Sequence, residues 1–155
     1  MAKKKIKPCD YERIPTEQDW EGFKYGLDEK YAYQNFCGKS QEEAYEMFKD
    51  NCIYYQEDLG YMPEKAFRFY LKPYMDYLLS PDAKGESDGA SCFLSLIELT
   101  LEFSPHYFDG LWERVELVMA VLGNYQLLIF DANIDIYGDF KKRIIKIKKL
   151  KDKVK

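Results

Sequence analysis

Residues 90–103, ASCFLSLIELTLEF, constrain this chain more than any other stretch. Read at about 100° per residue, Ala90, Phe93, Leu94, Ile97 and Leu101 form one apolar face. Cys92, Leu96, Leu99 and Phe103 cover most of the other, which leaves Ser91, Ser95, Glu98 and Glu102 as the one continuous polar strip. A helix of that kind has to sit in the middle of a core, with other helices laid against it. Ser87 or Asp88 opens it and Pro105 closes it.

The segments around it follow helical spacing as well. Ala44, Met47, Phe48, Asn51, Cys52, Tyr55 and Leu59 recur at three and four residues. Ahead of them stands Gly38-Lys39-Ser40, which resembles the end of a phosphate-binding loop. That loop needs a glycine at position 33, and Tyr33 stands there. It also needs a preceding strand, and residues 28–37 read as an uncertain strand at most. Ser40 followed by Glu43 is instead a capping box, in which each side chain satisfies a free backbone N–H of the other.

Pro63 suits the first turn of the next helix. Phe67, Tyr70, Leu71, Tyr74, Tyr77 and Leu78 make its apolar face, with Lys65, Arg68, Lys72 and Asp76 opposite. Pro73 lies inside it and predicts a kink or a break. Residues 80–89 read as a loop. From Phe108 the spacing predicts one helix over 108–129 running through Gly123, with a hairpin in 125–137 as the rival. A last helix over 140–155 turns Ile144, Ile147 and Leu150 inward and frays at its end. Near the start, Thr16 is placed to cap a short helix carrying Trp20, Phe23 and Leu27, against which Gly22 and Gly26 argue.

The expected fold is therefore all-α: a single-domain bundle of about five helices around the helix at 90–103. An extended arm at 1–16 precedes the helical domain at 17–150, and a basic frayed tail at 151–155 follows it. At 155 residues, with 46% of them hydrophobic, the chain can bury a core without staples. Wide, irregular spacing of Cys9, Cys37, Cys52 and Cys92 fits reduced thiols, not a disulfide framework or a zinc site. No apolar run approaches the roughly 18 residues of a membrane span. The start, MAKKKIKPCDYER, has no apolar stretch of a secretory signal. A cytoplasmic location is expected.

Motifs that would carry chemistry are incomplete. Asp131, Asn133 and Asp135 match three positions of a calcium loop, but Ile136 replaces its glycine and Lys142 its closing glutamate. Cys92 lacks the distant histidine that a papain-type nucleophile needs, since His106 is the chain's one histidine. Glu98 and Glu102 lie one turn apart and could split acid and base roles, but no Glu-x-x-His motif accompanies them as a carboxylate metal site requires. No cofactor or metal is expected.

Charge is the remaining signal. The chain totals −4, while residues 1–7 carry +4 and residues 141–155 carry +8, so the stretch between them holds −16. Such a field steers association with cationic partners. Tyrosine, at 14 copies, exceeds what a core of this size uses, and Tyr45, Tyr54 and Tyr61 are candidates for a binding face. The expected function is a non-enzymatic protein-binding module, of the inhibitor or immunity kind, whose acidic surface masks a basic protein. Tyr54, Glu57, Asp58, Tyr61, Glu98 and Glu102 are the expected contact residues. An alternative uses the lysine-rich end to contact nucleic acid or an anionic membrane, which the acidic body disfavours. A third is a hydrolase-like enzyme built on Glu98 and Glu102.

Overall fold

A computed structural model of the chain describes residues 13–23 and 25–154, and among these every regular element is helical. The order is α1 (Leu27–Phe36), α2 (Gln41–Leu59), α3 (Glu64–Leu78), α4 (Ser87–Phe103), α5 (Trp112–Asn124), the single turn α6 (Ile134–Tyr137) and α7 (Phe140–Lys153). Short 3₁₀ turns occupy Glu17–Trp20, Pro81–Ala83 and Pro105–Phe108. The all-α bundle is as expected, with six helices of ten residues or more where five were read. The additional one is α1, which replaces the uncertain strand at 28–37. Only Ala32 and Phe36 of α1 are buried, too few to print a periodicity in the sequence.

Most of the expected arm at 1–16 lies outside the described residues. Thr16 does cap a helix, forming a capping box with Asp19, but that helix is one 3₁₀ turn ending at Trp20. Gly22, at φ 87°, turns the chain out of it, so Phe23 and Leu27 do not continue the turn.

Ser40 starts α2 as the capping box required: its Oγ accepts from Glu43 N at 3.0 Å, and Glu43 Oε1 accepts from Ser40 N at 3.1 Å. The helix is not straight. Asn51 leaves helical geometry, at φ −152° and ψ 76°, and its Oδ1 accepts from Tyr54 N, capping the second half afresh. Asn51, expected on the inner face, is exposed, while Cys52 and Leu59 after it are buried and Tyr55 packs on the core as the spacing predicts.

Helix α3 runs through Pro73 with no non-helical residue, so of the expected kink or break the break does not occur. Proline deprives the Phe69 carbonyl of its helical donor. The side chain of Gln41, at the start of α2, donates to that carbonyl at 3.1 Å. Arg68 is a second correction, since it is buried and not on a solvent face. Its guanidinium donates to the carbonyls of His106 and Asp109 and so holds the 3₁₀ turn Pro105–Phe108 against α3.

The core is largely aromatic. Phe48 stacks on Tyr74 at 5.0 Å, Tyr74 meets Phe93 edge-on at 5.4 Å, and Phe36 lies 4.9 Å from Tyr70. Buried tyrosine hydroxyls bond main-chain carbonyls. Tyr70 Oη sits 2.6 Å from Phe36 O, the last residue of α1, and 2.8 Å from Lys39 O, and Tyr74 donates to Gly89 O in the first turn of α4. Helix α4 is central, between α2 and α7, with Phe93 and Ile97 fully buried. Leu99 and Phe103, expected on an inner face, are exposed.

The expected helix over 108–129 ends at Asn124. Gly123 does not break it; a Cβ there would stand 3.1 Å from Ile144 Cδ1, so glycine lets α7 approach α5 closely. The end is set by Gln126, which is buried. Its Nε2 donates to Ala132 O at 3.1 Å and Gly138 O at 2.8 Å, and its Oε1 accepts from Phe140 N at 2.9 Å. One amide thus fastens a chain of wide turns, in which no hairpin forms. Helix α7 buries Phe140, Ile144 and Ile147 and continues to Lys153, with Lys151 Nζ 5.3 Å from the Trp112 ring centroid. The end expected to fray from 151 is helical through Lys153. Arg143 bridges α7 to α4, donating to Ser91 Oγ, Ser91 O and Ser95 Oγ at 2.8–3.0 Å.

Candidate functional site

Four of the six expected contact residues lie in one cleft. Past Asn51, Tyr54, Glu57 and Asp58 stand three and four residues apart on α2, and Tyr61 follows after the helix end, so all four share one side. Helix α1 returns alongside and adds Asp28 and Tyr31, again three apart. These six residues line a cleft of about 350 Å³. The wall between the two helices is fastened by Asn35, whose Nδ2 donates to Asp58 Oδ2 at 2.8 Å.

Its chemistry is one-sided. Three carboxylates and three phenol rings line it, with no cation among them. Tyr31 and Tyr54 are about half exposed, whereas Asp58 is only 9% exposed. Burial pushes the Asp58 carboxyl above its ordinary value and the Glu57 and Asp28 charges add to that, while the Asn35 hydrogen bond opposes it. Asp28 holds the Tyr61 phenol above its ordinary value, with smaller contributions from burial, Glu57 and Glu29. The Tyr61 shift, and the smaller carboxylate contributions to that of Asp58, reflect the negative charge gathered in the cleft. A cationic side chain entering it would meet carboxylates and aromatic faces together.

A second groove adjoins it. Gln56, Glu57, Gly60 and Tyr61 form one wall, and Cys92, Ser95, Leu96 and Leu99 of α4 the other, enclosing about 250 Å³. Glu57 and Tyr61 belong to both. The exposure of Leu99 lies at this groove.

Glu98 and Glu102 are not brought into either. Glu98 pairs with Lys146 of α7 at 3.1 Å, and Glu102 is exposed. Cys92 is half buried, and burial with the neighbouring Asp88 raises its thiol pKa, against a nucleophilic role. His106 lies 3.8 Å from Glu64. In the calcium-like segment the Asn133 side chain caps α6 and that of Asp139 caps α7. Among the described residues no group of three or more His, Cys, Asp or Glu is arranged to hold a metal ion. None of their helices is long and apolar enough to cross a membrane.

Asp28, Tyr31, Asn35, Leu96 and Leu99 are the site residues that sequence reasoning missed. The spacing of Asp28 and Tyr31 matches that of Tyr54 and Glu57, a signal usable only once 27–36 is known to be helical. No family model matches this chain, and neither a curated protein nor a solved structure matches it.

Proposed function

We propose that this protein is a non-enzymatic binding module whose acidic, tyrosine-lined cleft captures a basic protein partner, in the manner of an inhibitor or immunity protein. The observation carrying this reading is the convergence of Asp28, Glu57 and Asp58 with Tyr31, Tyr54 and Tyr61 on one cleft. Tyrosine gives large contact area at low entropy cost, and clustered carboxylates favour a cationic ligand. The test is affinity capture from native lysate by the wild-type chain and by a Glu57→Gln/Asp58→Asn variant. A basic protein retained by the first and lost by the second is the expected result. Equal capture by both would sink the reading.

A second reading draws on α7. Lys141, Lys142, Lys148, Lys149 and Lys153 are exposed along a helix that stays ordered to Lys153, so they form a cationic face and not a loose tail. Such a face suits nucleic acid or an anionic membrane. Binding to duplex DNA or anionic vesicles at physiological salt would favour it.

A further inference from the structure

Resting on the cleft reading above, we infer that the partner is recognised through two side chains at once: a cation in the acidic cleft and an aliphatic side chain in the groove between α2 and α4. The two recesses share Glu57 and Tyr61, so neighbouring side chains of one ligand segment reach both. Their chemistries differ sharply. The cleft is lined by Asp28, Glu57, Asp58 and tyrosines. Leu96 and Leu99 floor the groove, and Leu99 is 50% exposed although it belongs to the most apolar helix of the chain. An aliphatic side chain laid there would cover Leu99 while Glu57 faces the ligand's cation. Charge complementarity therefore selects an occupant with a positive charge beside a branched apolar group, over a purely cationic or purely apolar one. In an extended segment, residues two apart point to the same side, which places such a pair in register with two adjoining recesses.

The pair requirement is tested with short blocked peptides and the full chain, followed by nuclear magnetic resonance titration. The peptides are Gly-Arg-Gly-Leu-Gly and its reverse, with Ser for Leu and Gln for Arg as controls. One of the two Arg/Leu peptides is expected to shift resonances of both Tyr61 and Leu99. Removing the leucine should weaken binding about tenfold, the scale of one buried aliphatic side chain. Leu99→Ser, at an exposed position, should reduce the Arg/Leu affinity to that of Arg/Ser and leave the latter unchanged. If Arg/Ser binds as tightly as Arg/Leu, the inference falls and the cleft reading stands. If Gln/Leu binds as tightly as Arg/Leu, the cation requirement fails and both fall. If no peptide shifts the cleft while partner capture still depends on Glu57 and Asp58, the inference alone is overturned.

Discussion

Two polar side chains placed where water is scarce show what single residues do here. Asp58 is buried with one amide partner, and its carboxyl is raised by burial and by two neighbouring carboxylates. A carboxyl whose folded-state pKa is raised holds its proton more tightly folded than unfolded. Its contribution to stability therefore falls as pH climbs from its ordinary value near 4 through the raised folded value, and at neutral pH the ionised form is a net cost. Asp58→Asn keeps an oxygen for Asn35 and removes that cost. We expect it to raise the melting temperature at pH 7 and to flatten the pH dependence above about 4, measured by thermal melts across pH 4–8. A lower melting temperature at pH 7 would show that the carboxylate is stabilising as it stands. Gln126 is the opposite case, a buried amide with its donors and acceptor engaged. Gln126→Ala orphans backbone groups at Ala132, Gly138 and Phe140. The expected loss is about 2–4 kcal/mol in urea denaturation, from a desolvation penalty of roughly 1–3 kcal/mol per unsatisfied group. A loss below about 0.5 kcal/mol would mean that the turns after α5 hold themselves.

At the scale of elements, the two departures from regular helix are each answered by a side chain. Pro73 frees the Phe69 carbonyl and Gln41 takes it, so a proline inside α3 also ties α3 to the start of α2. Pro73→Ala restores the helical donor and makes Gln41 redundant. In a double-mutant cycle, Gln41→Ala should cost about 1 kcal/mol beside Pro73 and close to nothing beside alanine. Equal costs in both backgrounds would show that Gln41 acts elsewhere. The kink at Asn51 lies just before Tyr54, Glu57 and Asp58, which face α1 across the cleft. Helix α4 supplies the centre. Phe93 is fully buried against Tyr74, and Phe93→Ala should cost about 3–5 kcal/mol, the range for a buried aromatic. A loss under about 1 kcal/mol would place that face at the surface.

For the whole molecule, opposite charges gather on different elements. Asp28 of α1 and Glu57 and Asp58 of α2 face one cleft, while a run of lysines follows α7, and α4 packs against both α2 and α7. The proposed partner would feel the −16 stretch at long range and the tyrosines only on contact. Raising salt should therefore slow association markedly and change dissociation little, since screening acts over about 8 Å at physiological strength. Stopped-flow rates at several salt concentrations check this, and a dissociation rate that carries most of the salt dependence would contradict it. Truncation after Leu150 removes Lys151 from Trp112 and the half-buried Val154, so it should lower stability slightly while leaving binding of a basic partner intact.

Local chemistry was legible from the sequence. The Ser40–Glu43 cap, the helical periodicity of α2 and α3, and the central place of α4 all depend on residues within a few turns of each other, and physics over that range is written in spacing. Tyr54, Glu57, Asp58 and Tyr61 stood out in the sequence only as tyrosines beside carboxylates, a composition that does not place them on one cleft. What only the tertiary structure decided depends on partners far apart in the chain. Helix α1 is weakly amphipathic and is held by Phe36 against Tyr70, so its own pattern could not announce it. Pro73 breaks a helix unless a carbonyl acceptor is satisfied from outside, and the donor sits 28 residues away. Helix α5 stops at Asn124, and just past it the Gln126 amide finds Gly138 and Phe140. The cleft exists only where α1 meets α2 and the groove only where α2 meets α4, because a recess is a property of surfaces brought together and not of any one helix.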